Sequence, residues 1–293
     1  MPSGPTSVLS FHCVIIRHMF QHFSIKNTMV NVTIVLFVIL TGWWLALSPF
    51  SHDESLIHAK FIWGSCYQVI AIWGGVCGLL ISRSFGGFKS FLGKSIIFFS
   101  LGLLFQSLGQ SFYSYYNLFA NVQAPYPSLG DVGFFGSIIF YIFGVVYLAH
   151  VSGVRVSLGS FYNKLQAILI PLCMLILSYV IFLKDYVFEW SDKLKIFLDF
   201  GYPLGQVFYL SLAILTLILS RKVLGGIMKK PVIFFLISLI MQYISDFNFL
   251  YHANHGTWFV GGIGDFLYMF SYLLMTLSII QIAYVLKSIK DAK

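Results

Sequence analysis

The chain has 293 residues; 58% are apolar, 18% aromatic and only 10% charged, and the mean hydropathy is +0.86. Soluble domains carry about 25% charged residues, so eighteen basic and ten acidic side chains cannot solvate a water-soluble globule of this size. A soluble enzyme, a disordered chain and a secreted disulfide scaffold are excluded. A formal charge of +8 would point to nucleic acid in a soluble protein; here it reports topology, as the loops show.

Residues 1–28 come first. Phe11–Phe23 mixes His12, His18, His22 and Arg17 with apolar residues, a composition that fits a helix lying on the membrane surface. A start at Met29, or a signal peptide with Val30–Leu40 as its apolar core, are the alternatives. From there, eight stretches approach the roughly 20 apolar residues needed to cross about 30 Å of hydrocarbon. They are Met29–Pro49, Phe61–Ser82, Ser95–Asn117, Gly130–His150, Lys164–Leu183, Ile196–Ser220, Pro231–Tyr251 and Gly262–Leu286, numbered spans 1 to 8. The connections are too short to fold as soluble domains. The expected fold is all-α, one polytopic bundle over 29–286, followed by a short basic tail at 287–293.

Lysine and arginine accumulate on the cytoplasmic side of membranes. Alternate loops divide these residues fourteen against four, with Lys60, Lys184, Lys193 and Lys195 as the minority. Both termini are therefore expected in the cytoplasm, nucleic acid is not an expected partner, and the bilayer is. The four cysteines, Cys13, Cys66, Cys77 and Cys173, form no C-x-x-C pair and read as small core residues.

The acids are unevenly placed. Asp291 is the one acid on the expected cytoplasmic side, and Asp53, Glu54, Asp185, Glu189 and Asp192 fall in outer loops. Asp131, Asp199, Asp246 and Asp265 fall within, or at the outer ends of, spans 4, 6, 7 and 8. Acids in membrane spans are costly and usually face the bundle interior. Neighbouring polar residues end at the same depth. Gln106, Gln110, Tyr113 and Asn117 share one face of span 3, Gln242 and Asp246 one face of span 7, and Asp199 and Gln206 one side of span 6. These faces predict an acid-lined polar cavity open to the outside, ringed by Tyr113, Tyr116, Tyr202, Tyr251 and Trp258. The ligand-binding set is Asp131, Asp199, Gln206, Asp246, Asp265, Gln110, Tyr113 and Gln242.

A short pattern recurs at Leu129-Gly130-Asp131, Leu204-Gly205-Gln206 and Ile263-Gly264-Asp265, each followed by an aromatic residue three positions on. It suggests three diverged hairpins, spans 3–4, 5–6 and 7–8, with a site at their common interface. Capping is the alternative at two of the acids. Ser128-x-x-Asp131 matches a capping box, and an acid at a helix N-terminus is favoured by the dipole alone; Asp265 can be read the same way. Asp246 lies toward a helix C-terminus, where the dipole disfavours it, so capping does not explain it. His252 and His255 read as an interfacial polar loop. No Walker loop, zinc signature or G-x-S-x-G elbow occurs, and the last span lacks a mid-membrane lysine for a retinal Schiff base.

Ser114-Tyr115-Tyr116-Asn117 through Pro125-Tyr126-Pro127-Ser128-Leu129-Gly130-Asp131 resembles the W-x-Y-Y … P-x-P-S-x-A-D signature of a seven- or eight-helix membrane sensor module. Such modules precede diguanylate cyclase, phosphodiesterase or histidine-kinase domains in bacteria and archaea. Asp199 to Gln206 resembles that module's D-x-x-Y-P-L-G-D, with Gln206 where the module has an acid. Ser245-Asp246 through Gly256 and Gly262 to Tyr272 resemble its A-D-x-x-F … G … D-x-x-W-x-x-G-Y. The resemblance covers residues 95–285 and implies an outward-facing sensing pocket in a cell (inner) membrane. The sequence stops shortly after span 8, so output is expected from a separate cytoplasmic or membrane partner, and a homo-oligomer is compatible with the reading.

The expected function is therefore a non-enzymatic sensor binding a small cation, proton or polar solute; the cofactor is left unassigned. One alternative is a proton- or cation-coupled transporter, which needs polar residues continuing into the inner half, where few stand beyond Ser178, Thr216 and Thr276. The other is a lysoplasmalogenase-like hydrolase built on Asp131 with His150 and on Ser245-Asp246, although Asp131 and His150 are nearly a full span apart.

Overall fold

The computed structural model describes residues 28–47, 54–120, 122, 124–152, 160–180, 186, 188, 190–220 and 229–291. The expected surface helix within 1–28 and the acids Asp53, Asp185 and Glu189 lie outside them, as do Arg17, Lys26, Arg155, Lys184, Arg221, Lys222 and Lys293 among the cations that set the expected orientation.

All regular structure among the described residues is helical. We number the helices α1 (Thr28–Ala46), α2 (Ile57–Ser84), α3 (Phe91–Leu118), α4 (Gly130–Val151), α5 (Phe161–Ser178), α6 (Lys193–Ser220), α7 (Lys229–Asn254) and α8 (Ile263–Asp291). Seven of them, all but α5, are long and apolar enough to cross a membrane, as a multi-pass helical membrane protein requires. The predicted span Lys164–Leu183 is described as far as residue 180. α5 has 18 residues with Pro171 inside it, about 27 Å at a rise of 1.5 Å per residue. It packs along α6 and turns Ile168, Leu172 and Ile176 outward. Cys173 is exposed on this helix, contrary to the core position expected of it, whereas Cys77 is buried.

The polar stripes explain how the bundle closes. Gln106, Gln110, Tyr113 and Asn117 on α3 are all buried, as are Gln206 on α6 and Gln242 and Asp246 on α7. A stripe of this kind facing lipid would leave its donors unpaired, so it turns inward and finds partners on other helices. Small residues let the backbones meet. Gly109 on α3 packs against Gly130 and Gly133 on α4, and Gly74 and Gly78 on α2 sit against Thr276 and Ile279 on α8. α8 is the central element, contacting α1, α2, α3 and α7, and its residues from Ser271 to Ile282 are buried throughout.

α1 is held to the bundle by indole N–H groups. Trp44 Nε1 donates to the Gly261 carbonyl at 3.0 Å, and Trp63 Nε1 on α2 donates to the Leu40 carbonyl at 2.9 Å. α2 departs from regular α geometry at the turn Tyr67–Gln68, and that turn brings Tyr67 to the bundle axis.

The repeated Gly-acid pattern does not occupy equivalent places. Gly130-Asp131 and Gly264-Asp265 begin α4 and α8, but Gly205-Gln206 lies inside α6, which starts at Lys193. Pro203 stands just before it, and the ring removes the backbone donor that would bond the Asp199 carbonyl. Gln206 therefore reaches one level deeper, to Asp246.

Candidate functional site

The four carboxylates in spans are buried to within 5% exposure, and each is held by specific donors. Asp131 accepts the Ser128 backbone N–H at 2.7 Å, the reciprocal arm of a capping box, and the Tyr202 hydroxyl at 2.8 Å. Asp265 accepts the Gly261 N–H at 2.7 Å and the Tyr67 hydroxyl at 3.2 Å. Both therefore cap their helices and also hold a tyrosine from another helix. Asp246 caps nothing. It accepts the Tyr268 hydroxyl at 2.6 Å, Gln206 Nε2 at 2.5 Å and Gln242 Nε2 at 3.2 Å, tying α7 to α8 and α6. Asp199 accepts the Tyr126 and Tyr186 hydroxyls at 2.7 and 2.9 Å. Tyr126 lies in the α3–α4 loop, outside the spans; burial first, and the neighbouring Asp199 second, push its phenol far above the usual tyrosine range.

Asp246 and Asp265 line one cavity together with Gln110, Tyr67, Tyr113 and Tyr268. Phe134, Tyr202, Phe249, Leu250 and Trp258 complete the wall. Among the described residues no lysine, arginine or histidine lines it. The cavity leaves about 20 Å³ for the centre of a water-sized molecule, enough for roughly one water by the 10–15 Å³ such a molecule needs. A wider vestibule of about 280 Å³ lies beside it, lined by Ala124, Tyr126, Lys195, Ala253 and Gly256. Phe249 and Trp258 line both spaces, with their rings edge to face at 5.0 Å.

Below the cavity the polar chemistry continues for one layer. Tyr272 donates to Gln106 Oε1 at 3.1 Å, Gln106 Nε2 to Ser137 at 2.7 Å, and Ser271 to Gln242 Oε1 at 2.9 Å. Beneath that, large side chains close the bundle. Phe99 stacks on Phe235 with centroids 4.2 Å apart, and Leu103 and Leu239 are fully buried beside them. Thr216 and Ser278, at this depth and lower, bond back to carbonyls one turn earlier in their own helices; the Ser178 side chain lies outside the described residues.

Of the predicted ligand set, Gln110, Tyr113, Asp246 and Asp265 thus face the cavity. Gln206 and Gln242 reach it through Asp246, and Asp131 through Tyr202. Asp199 stands apart, beside the vestibule. The predicted aromatic ring needs two corrections. Tyr251 is 52% exposed and stacks on His255, and Tyr116 does not line the cavity. Their places are taken by Tyr67 and Tyr268, which span periodicity did not single out. His252 and His255 bond to Thr257 Oγ1 and the Tyr251 carbonyl, each at 2.7 Å, and among the described residues no group of three or more His, Cys, Asp or Glu side chains converges to hold a metal ion.

Compared with protein-family models, curated proteins and solved structures, the chain finds no match. Its chemistry has to be argued from this site alone.

Proposed function

We propose that the chain is a membrane sensor or receptor-like module of eight spans in a bacterial-type inner membrane, with both termini in the cytoplasm. Its pocket binds a small cation, a proton or a polar solute, and a separate partner carries the signal onward. The observation that carries this reading is the cavity itself. Two buried carboxyl groups face it, no cationic side chain among the described residues lines it, and Phe99, Phe235, Leu103 and Leu239 pack together below Gln106, Gln242 and Tyr272. Two ionisable carboxyl groups with no cationic side chain lining the cavity among the described residues favour a positive guest, and the apolar packing below them favours binding over passage.

Coupling would run along α8, which carries Asp265 and Tyr268 at the pocket, touches four other helices and ends in the basic segment. A guest that prefers one packing of α8 shifts the equilibrium by its differential affinity for the two packings, and by no more than that. The transporter alternative needs a second, polar half-channel, and Phe99, Phe235, Leu103 and Leu239 occupy its place. The hydrolase alternative has its two groups at opposite ends of α4, where His150 stacks on Phe91 at 5.2 Å.

The two functional classes separate in one experiment. A fluorophore is attached at Ser288→Cys, in a background with the native cysteines replaced, and the protein is reconstituted in liposomes. Sodium, potassium, ammonium and proton jumps are applied while flux is recorded. The sensor reading expects a fluorescence change that Asp246→Asn removes, without flux. Stoichiometric flux of any of these ions would replace it with a transporter, and a silent probe under all four jumps would remove its support.

A further inference from the structure

We infer that the guest of this cavity is a small organic ammonium ion, of the size of methylammonium, seated with its N–H groups on Asp246 and Asp265 and its carbon against ring faces. The inference deepens the cation-pocket reading above and rests on it.

The wall composition separates the candidate cations. Seven of the eleven lining residues are aromatic. Hard metal ions need six or more oxygens in a shell, and ring faces supply none. An ammonium group instead needs a few well-placed acceptors, and aromatic faces attract it through their quadrupole by about 0.5–2 kcal/mol each. The acceptors are present. An ionised carboxylate offers about four lone-pair positions; Asp265 uses two of them, on Gly261 and Tyr67, and Asp246 three, on Tyr268, Gln206 and Gln242, so Asp265 offers the guest more and Asp246 one.

A second observation points to a guest independently of the acids. Tyr113 lines the cavity and is 7% exposed, yet its hydroxyl makes no hydrogen bond of good geometry, with Ser128 the polar side chain beside it. A buried hydroxyl left so costs about 1–3 kcal/mol, and an ammonium N–H in the cavity would bond its oxygen. Size sets the rest. Room for about one water takes the ammonium head alone, with the methyl group toward the Phe249 and Trp258 rings that border the wider space, and it excludes tetramethylammonium, which in addition carries no N–H to give. Entry runs from the vestibule past Phe249 and Trp258, the two rings common to both spaces.

Isothermal titration of the full chain in detergent, at constant ionic strength, tests this with methylammonium, tetramethylammonium, sodium and potassium chlorides. Methylammonium is expected to bind saturably, at least tenfold tighter than the other three. Asp246→Asn and Asp265→Asn should each weaken it more than tenfold, and Phe134→Leu, which keeps both acids and an apolar wall, several-fold. Asp199→Asn, outside the cavity, should leave it unchanged and shows that loss of an acid does not by itself unfold the protein. Sodium or potassium binding as tightly as methylammonium, with dependence on Asp246, would overturn the organic guest and leave the cation pocket standing. Absence of binding by all four salts would overturn both. Methylammonium binding that survives both acid substitutions would overturn the placement.

Discussion

The bond between Tyr268 and Asp246 joins α8 to α7 at the pocket, and its strength can be worked from its surroundings. The hydroxyl donates at 2.6 Å, and both residues are at most 8% exposed. Hydrogen bonds between membrane helices average about 0.6 kcal/mol and reach about 1.7, while bonds to a charged acceptor in proteins run about 1.5–3 kcal/mol. Tyr268→Phe keeps the ring in its place and leaves the carboxylate with Gln206 and Gln242, so no orphaned acid results. The expected loss is about 1–2 kcal/mol. Asp246→Asn is buffered in a different way. It turns one oxygen into a donor facing Gln206 Nε2, but the Gln206 Oε1 atom is buried without a partner, and an amide flip would present it to the new N–H. Reversible unfolding of the two single variants and the double in mixed detergent micelles gives the coupling directly. A coupling of about 1–2 kcal/mol is expected. A value within about 0.3 kcal/mol of zero, the additivity seen for independent sites, would refute the bond and with it the tie between α7 and α8 at this depth.

Further outcomes follow from neighbouring details. Gly133→Ala places a methyl group against the Gly109 backbone and the Phe105 carbonyl, and should cost about 2–3 kcal/mol as overpacking does. Gly42→Ala, with nothing within 4 Å, should cost nothing; equal melting points for the two would refute the close α3–α4 crossing. Gly261→Ala combines a φ of +79° with Lys60 Cβ at 3.0 Å and should lose at least about 1–2 kcal/mol. Asp131→Ala removes a cap, worth about 1 kcal/mol, and orphans the buried Tyr202 hydroxyl at a further cost of about 1–3 kcal/mol; it should lower the melting temperature more than Asp131→Asn, which keeps an acceptor for Tyr202. The raised phenol of Tyr126 contributes stability that is intact below its unfolded pKa of about 10 and is lost as pH rises beyond it, since the unfolded chain then sheds a proton that the folded one keeps. Tyr126→Phe should therefore flatten the stability curve above about pH 10, and an unchanged slope there would contradict the burial of this hydroxyl.

The helical bundle was legible because long apolar runs leave few other structures open to a chain in lipid. The inward faces of α3 and α7 were legible because Gln106, Gln110 and Tyr113, or Gln242 and Asp246, repeat at helical spacing on otherwise apolar helices. The tyrosines were not. With 17 of them in the chain, an aromatic residue marks core, interface and lipid faces alike, so Tyr251 was placed in the site and Tyr67 was passed over. Tyr67 meets Asp265 across 198 residues of sequence, and only the turn in α2 brings it there. The place of Gln206 within its helix is not legible in the repeated pattern for a related reason. Its Leu-Gly-Gln pattern matches two true helix starts, but Pro203 is tolerated within α6, so the match in letters is not a match in position. The weak fifth span shows the limit of apolar content as a signal. Lys164–Leu183 is apolar enough, yet the described helix Phe161–Ser178 lies at the periphery, with Ile168, Leu172 and Ile176 turned outward.

If Asp246 and Asp265 serve one guest in one pocket, the melting temperature of the purified protein responds to that guest through both acids. The unmodified chain is compared with Asp131→Asn, Asp246→Asn and Asp265→Asn across pH 4–9 and a panel of monovalent, divalent and alkylammonium cations. A guest that binds only the folded form stabilises it by about 2.7 kcal/mol at a hundredfold excess over its dissociation constant. The account predicts a saturable rise with one cation class that Asp246→Asn and Asp265→Asn both abolish and Asp131→Asn retains. Four proteins that melt in parallel under every condition would contradict it and leave the acids as helix caps and buried polar ties.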